Sequence, residues 1–196
     1  MAKQLVVATR NEHKLRELGE IIDSVELIPL PDGVELPPED GETFADNALA
    51  KARAAHSSTR LPAIADDSGI EARALRGLPG VRSARYAGAS ASDRENLERL
   101  LRDLDGATDR SVAYVCVLAL IGEDGVEHLF EGRCEGRLAR EPRGSGGFGY
   151  DPAFLPDDTG PDDARTMAEL SPAEKHAISH RGRAARALAR WLEGER

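Results

Sequence analysis

The apolar positions of the chain change period several times, and each change marks an element. Gln4–Thr9 is a short apolar run rich in β-branched residues; after Asn11 the apolar positions shift to Leu15, Leu18, Ile21 and Ile22, the spacing of one helix face. That segment reads strand, turn, helix, with Asn11 as the N-cap. Val25–Leu30 predicts a second strand, followed by a breaker-rich loop, Pro29–Gly41, that carries Glu35, Glu39 and Asp40. Thr43 and Asp46 form a capping-box pair ahead of an Ala-rich stretch to Ser57, which predicts a helix packed closely on a neighbour. Pro62–Ala65 predicts a short buried strand that ends in a polar turn at Asp66-Asp67-Ser68-Gly69.

Beyond the Gly77–Gly88 loop, Ser92 and Glu95 open a further helix to about Leu104. Ser111–Ile121 and Val126–Gly136 flank Glu123-Asp124-Gly125 and predict a long β-hairpin. Gly144–Pro152 is glycine-dense, and Ser171-Pro172-Ala173-Glu174 supplies a cap, an N1 proline and an N3 acid for the last helical region. There is no internal repeat and no low-complexity tract. Early alternation of strands and helices, with a later hairpin, predicts an α/β or α+β protein with a mixed sheet.

Composition narrows the classes. The 196 residues suit one large domain or two joined lobes, and 40 % hydrophobic with 4 % aromatic residues implies a core of Ala, Leu, Val and Ile. A formal charge of −9, from 35 acidic and 26 basic residues, gives no support to a broad basic face for nucleic acid. A polyanionic ligand would need local donors or a cation held by carboxylates. Cys116 and Cys134 lie in apolar, strand-like runs, outside any metal-binding spacing, and are expected as reduced buried thiols. The apolar run near the N-terminus is too short for a secretory signal, and no stretch approaches a membrane span, so a cytoplasmic, non-membrane protein is expected.

Four segments carry candidate chemistry. Thr9-Arg10-Asn11-Glu12-His13-Lys14 sits where the first strand hands over to the first helix, a place that favours phosphate or is simply a capped helix. Asp66 and Asp67 are adjacent acids after an apolar run. They are compatible with Asx-turn chemistry beside a left-handed Gly69, or with a metal site completed by the Glu39/Asp40 loop. In Gly144–Pro152, backbone freedom accompanies Phe148 and Tyr150, either as base-stacking rings or as core anchors of an irregular turn. Lys175, His176, His180 and Arg181 form a solvated helix face or a ligand grip; on an unbroken helix Lys175 and His180 would lie about 140° apart. A shared ligand therefore predicts a helix break near Ser179, with a new segment starting at His180. The spacing of His176 and His180 alone signals no third zinc ligand.

Taken in order, ATRNEHK, EDGETFADNALAKA, AIADDSG, LPGVRSARYAG, EPRGSGGFGYDPAF, MAEL and EKHAISHRGRA, from Leu5 to about Trp191, resemble the inosine/xanthosine triphosphate pyrophosphatase family, the house-cleaning purine triphosphatases. The resemblance implies a single domain of two lobes spanning residues 1–196, an elongated mixed sheet, a nucleotide cleft between the lobes, and commonly a homodimer. It implies Mg2+-dependent hydrolysis of ITP, dITP and XTP to the monophosphate and pyrophosphate. By matching motif positions, Thr9, Arg10, Asn11, Glu12, His13 and Lys14 resemble the triphosphate-binding segment. Glu39 and Asp67 match the Mg2+ carboxylates, Asp67 also the general base, and Ser68 a substrate contact. Phe148, Gly149, Tyr150, Asp151, Lys175, His180 and Arg181 match nucleoside-binding residues. Arg10 departs from the small residue many relatives carry, and Asp157–Asp163 looks like an acidic surface insertion. Pyrophosphatases of the Maf type and a non-catalytic nucleotide- or RNA-binding regulator are the competing classes.

Overall fold

The computed structural model describes residues 4–194. Six strands form one mixed sheet in the order β2-β1-β3-β4-β5-β6: β1 Gln4–Val7, β2 Glu26–Pro29, β3 Ala63–Ala72, β4 Ser111–Ile121, β5 Glu127–Leu138 and β6 Phe154–Pro156. The helices are α1 Glu12–Gly19, α2 Phe44–Thr59, α3 Asp93–Asp103, α4 Pro172–Ile178 and α5 His180–Glu193. β1 pairs in parallel with β2 and β3, whereas β5 and β6 pair antiparallel. The expected α/β class with a mixed sheet is what forms. No helix among the described residues is long and apolar enough to cross a membrane.

Local chemistry explains most of these boundaries. Asn11 accepts hydrogen bonds from the His13 and Lys14 amides and starts α1. Reciprocal capping boxes start α2 (Thr43/Asp46), α3 (Ser92/Glu95) and α4 (Ser171/Glu174). Every residue of β4 after Ser111 is buried, which is why it reads as an unbroken apolar run, while β5 alternates over its second half. The break expected near Ser179 is present: α4 ends at Ile178, Ser179 is extended (φ −64°, ψ 152°), and α5 begins at His180.

The chain divides into two compact units. Unit 1 comprises, among the described residues, 4–67, Cys116–Gly132 and 180–194. Its core gathers Leu5, Val7, Leu18, Ile22, Ile64, Leu118 and Leu188, with Cys116 among them. Ala48, Ala52 and Ala55 are fully buried on α2, so that helix packs through its small side chains. Unit 2 comprises Ser68–Val115 and Arg133–Ser179, with a core of Ile70, Leu97, Leu100, Tyr114, Tyr150, Phe154 and Met167. Both cysteines are buried and unbridged, as expected.

One expectation is overturned. Asp66-Asp67-Ser68-Gly69 is not a turn: β3 runs through it to Ala72. Two buried acids can occupy a strand interior because cations and an amide reach them, as described below, and the apolar residues beyond carry the pairing onward. β6 and the short 3-10 turns Asp151–Ala153 and Met167–Glu169 were not anticipated; three-residue elements are shorter than any readable period.

Gly132 shows how closely α5 approaches β5. A Cβ there would run into the His180 carbonyl and the Ala184 amide, whereas one on Gly19 would meet nothing. Overpacking a filled site costs about 1–3 kcal/mol, and each kcal/mol lowers Tm by roughly 2–4 °C at this size. Gly132→Ala should therefore lower Tm by several degrees, and Gly19→Ala should leave it level or raise it, since Ala suits a helix better than Gly. Parallel thermal melts of the two variants check this; equal shifts would contradict the packing.

Candidate functional site

Unit 1 builds a network of acids and cations on β3. Asp66 is 1 % exposed, and its Oδ2 accepts from Lys14 Nζ (3.0 Å) and from Arg181 Nε (3.3 Å) and Nη2 (3.1 Å). Arg181 Nη1 donates to Glu17 Oε2 at 2.5 Å, so α1 supplies both Lys14 and Glu17 while α5 supplies the guanidinium between the two acids. Burial is the largest influence on Asp66 and opposes its ionisation. The charges of Lys14, Arg181 and Lys51 outweigh it and hold the carboxyl well below the usual range. The neighbouring Cys116 thiol is pushed up to about 12, chiefly by burial and then by Asp66, and is inert.

Asp67 lives differently one residue on. Its Oδ2 accepts from Asn47 Nδ2 (2.8 Å), and Asn47 Oδ1 accepts the Gly41 amide (2.8 Å), tying the acidic loop to the strand. Lys51 Nζ donates to Glu39 Oε1 at 2.5 Å and to the Asp66 carbonyl at 2.6 Å, and stands 3.9 Å from Asp67 Oδ1. Burial raises the Asp67 pKa and Glu39 adds to this, more than Lys51 and Asn47 lower it. Burial also pushes Glu39 upward, but the charge and hydrogen bond of Lys51 prevail and keep it below the usual value. Two carboxylates within reach of one ammonium are thereby pushed in opposite directions, the pattern of an acid–base pair. Glu39 and Asp67 make a hard-oxygen donor set of the size Mg2+ commonly takes from a protein. Among the described residues no cluster of three or more His, Cys, Asp or Glu side chains forms a metal cage.

The remaining residues of the first segment have local partners. Thr9 Oγ1 accepts the Asn11 amide, and His13 Nδ1 lies 2.9 Å from Arg16. Glu12 is the exposed first residue of α1. Arg10 clamps the following loop by donating to the carbonyls of Leu30, Pro31 and Val34. Ser68 is half-buried in β3, and His180 is buried at the start of α5.

Unit 2 gathers a second set around Asp151, which is 3 % exposed. Its Oδ1 accepts from Tyr114 Oη (3.0 Å), and its Oδ2 from the Phe148 amide (2.9 Å) and Lys175 Nζ (2.9 Å). Lys175 Nζ sits 5.1 Å from the centre of the Phe148 ring, a cation–π distance. Gly149 donates its amide to Asp93 Oδ2 (2.9 Å). Tyr150 is buried and donates to the Ser83 carbonyl (2.7 Å), so of the two aromatics Tyr150 is the core anchor and Phe148 the half-buried ring. Gly147 has φ +69°, and a Cβ there would strike the Asp151 carboxylate, which is why this turn needs glycine.

The structure thus joins Lys14, Asp66 and Arg181 in unit 1, Glu39 and Asp67 through Lys51 in the same unit, and Phe148, Asp151 and Lys175 in unit 2. Arg181, expected among nucleoside-binding residues, is 2 % exposed and directs three of its N–H groups to Asp66 and Glu17. Lys51, Asn47, Glu17 and Tyr114 were missed. A signal existed for two of them: Asn47 and Lys51 fall at i, i+4 among the buried alanines of α2, where polar side chains demand partners.

Such a fold and site define an α/β protein with a carboxylate–cation centre on adjacent strand residues. The chain belongs to the Ham1 family, whose model matches residues 5–191. It is 48 % identical to a dITP/XTP pyrophosphatase of Mycolicibacterium paratuberculosis over 96 % of this chain and 95 % of the relative. It is 50 % identical to one from Frankia alni, with 96 % of each covered. Among solved structures, a HAM1 protein from Coxiella burnetii is similar at 44 % identity and a TM-score of 0.88, covering 97 % of this chain and 98 % of that one. The Ham1 protein of Staphylococcus aureus is similar at 39 % identity and the same TM-score, over 99 % and 100 %.

The opposite environments of the two aspartates have opposite effects on stability. Asp66, with its pKa lowered on folding, contributes stability that is present above the ordinary carboxylate pKa and lost only as pH falls through its lower folded value. Asp67, with its pKa raised, opposes folding at neutral pH, and that opposition fades as pH falls through its folded value. At pH 7, Asp66→Asn should cost about 3–5 kcal/mol, because it leaves buried cations uncompensated, while Asp67→Asn should leave Tm unchanged or higher. Thermal melts from pH 2 to 8 check both signs; equal losses in the two variants would refute the split.

Proposed function

We propose that this chain is a nucleoside triphosphate pyrophosphatase that hydrolyses unusual purine triphosphates, ITP, dITP and XTP, to the monophosphate and pyrophosphate in a Mg2+-dependent reaction. The relatives' names support the substrate class. The observation that carries the chemistry is the divided aspartate pair: Asp66 is neutralised by cations, and Asp67 is left with raised proton affinity. Glu39 and Asp67 would hold Mg2+, which when bound supplies charge neutralisation along the phosphates and lowers the pKa of water. The network brings the carboxylates of Glu17, Glu39, Asp66 and Asp67 together with Lys14, Lys51 and Arg181.

In this reading Asp67 takes the proton from the water that attacks the α-phosphorus, the bond to the bridging oxygen breaks, and pyrophosphate departs. Lys51 keeps Glu39 ionised and in place, and Lys14 offsets charge on the phosphate chain. Phe148 offers a face for stacking, and donors from Lys175 or nearby amides suit the 6-oxo group of hypoxanthine or xanthine. The 6-amino group of adenine would leave such donors unpaired, which supports strong discrimination. The reading includes a homodimer, on the strength of the family resemblance, and a cytoplasmic location, expected from the short N-terminal apolar run and the lack of a membrane-span-length apolar stretch.

Pyrophosphate release from ITP, dITP, XTP, GTP and ATP, with and without Mg2+, tests the proposal. Release is expected from the first three and only with the metal; equal efficiency on ATP or GTP would overturn the specificity. Asp67→Asn should lower kcat roughly 10²–10⁴-fold, the usual contribution of a general base, in a protein that still unfolds cooperatively. Near-normal turnover in that variant would exclude Asp67 as the base.

A further inference from the structure

Tyr114 is the single hydroxyl in an otherwise apolar stretch, Val112–Ile121, of β4. It is 6 % exposed, its ring lies 4.5 Å from that of Phe154 in a tilted pair, and its Oη meets Asp151 Oδ1 at 3.0 Å. A phenylalanine would fill the same apolar space, so packing alone does not account for the hydroxyl. Its partner does: the other oxygen of Asp151 holds two groups that the proposed function places at the base, the Phe148 amide and the Lys175 ammonium. With Oδ1 fixed from inside the core, the carboxylate cannot rotate about its Cβ–Cγ bond. The distance and angle between the Phe148 ring and the ammonium above it are then set before any ligand arrives.

We infer that Tyr114 is a positioning residue for purine recognition: by fixing the Asp151 carboxylate from β4 it presets the Phe148 ring and the Lys175 ammonium as one unit. Burial, and next the charge of Asp151, raise the phenol's pKa well above its usual value, so it remains a donor throughout the working pH range. Loss of the hydroxyl leaves a buried carboxylate oxygen short of a donor and free to reorient. Ligand affinity pays for that reordering while the proton chemistry of Asp67 does not change. The inference concerns the base-binding part of the proposed function and rests on it for the choice of substrate.

The test pairs Tyr114→Phe with Phe154→Leu, which loosens the same packing and leaves the hydroxyl in place. In nucleotide-free protein, hydrogen exchange of the Phe148 amide should speed roughly tenfold in Tyr114→Phe, the factor for one lost hydrogen bond to a charged group. It should change little in Phe154→Leu at equal loss of Tm. With ITP, Tyr114→Phe should raise KM roughly tenfold at a kcat within about twofold, and narrow the preference for ITP over ATP. Unchanged Phe148 exchange in Tyr114→Phe overturns the inference, as does an equal KM shift in the Phe154→Leu control. Should Tyr114→Phe fail to fold, Asp151→Asn must show the same faster exchange and raised KM, and normal values there overturn it. If the unaltered protein releases no pyrophosphate from any triphosphate, the functional reading fails, and the exchange comparison still decides whether Tyr114 presets the loop.

Discussion

A carboxylate inside a strand, at 1 % exposure, is the constraint on which unit 1 is built. Asp66 cannot be ionised there without nearby cations, because the cost of removing a charge from water amounts to several kcal/mol. Two helices therefore have to deliver donors to one oxygen: α1 brings Lys14 and α5 brings Arg181. Glu17 then balances the second half of the guanidinium. Arg181 is the second residue of α5, and this explains why the helical region breaks at Ser179. A helix continued from Lys175 would carry Arg181 about 240° around the axis from it, so the break lets each residue answer to its own carboxylate, Asp66 for Arg181 and Asp151 for Lys175.

Adjacent residues of an extended strand point to opposite sides, and that geometry separates the two aspartates chemically. Asp66 takes three charge-assisted contacts on one oxygen. Asp67 receives one amide donor and a distant ammonium, and shares that ammonium with Glu39. Neither residue type nor sequence position distinguishes them. The difference lies in their partners: Arg181 and a close Lys14 on Asp66, and the loop carboxylate Glu39 beside Asp67.

Much of the fold was legible in the sequence because it is written in local signals: the capping boxes at Thr43, Ser92 and Ser171, the Asn11 cap, and the apolar runs of β1 and β4. The helix break was legible for a geometric reason, the incompatible directions of Lys175 and His180 on one helix. What misled was Asp66-Asp67-Ser68-Gly69, whose composition is that of a turn. A strand passes through it because Lys14, Lys51, Asn47 and Arg181, up to 115 residues distant in sequence, satisfy its acids. Such partners have no local signature. Tyr114 was invisible for a similar reason: aromatic residues are common in strands, and its hydroxyl acquires meaning only when Asp151 is seen to face it.

The two buried carboxylates at the heart of each unit follow one physical rule with different outcomes. Asp151 has both oxygens engaged, with a phenol on one and an amide and an ammonium on the other. A carboxylate with both oxygens so engaged is suited to holding other groups still. Asp67 is held by Asn47 and stands near Lys51; burial, with Glu39 adding to it, outweighs both and raises its affinity for a proton. The partners of each acid therefore distinguish them in a way that burial alone does not, since Asp66, Asp67 and Asp151 are all buried.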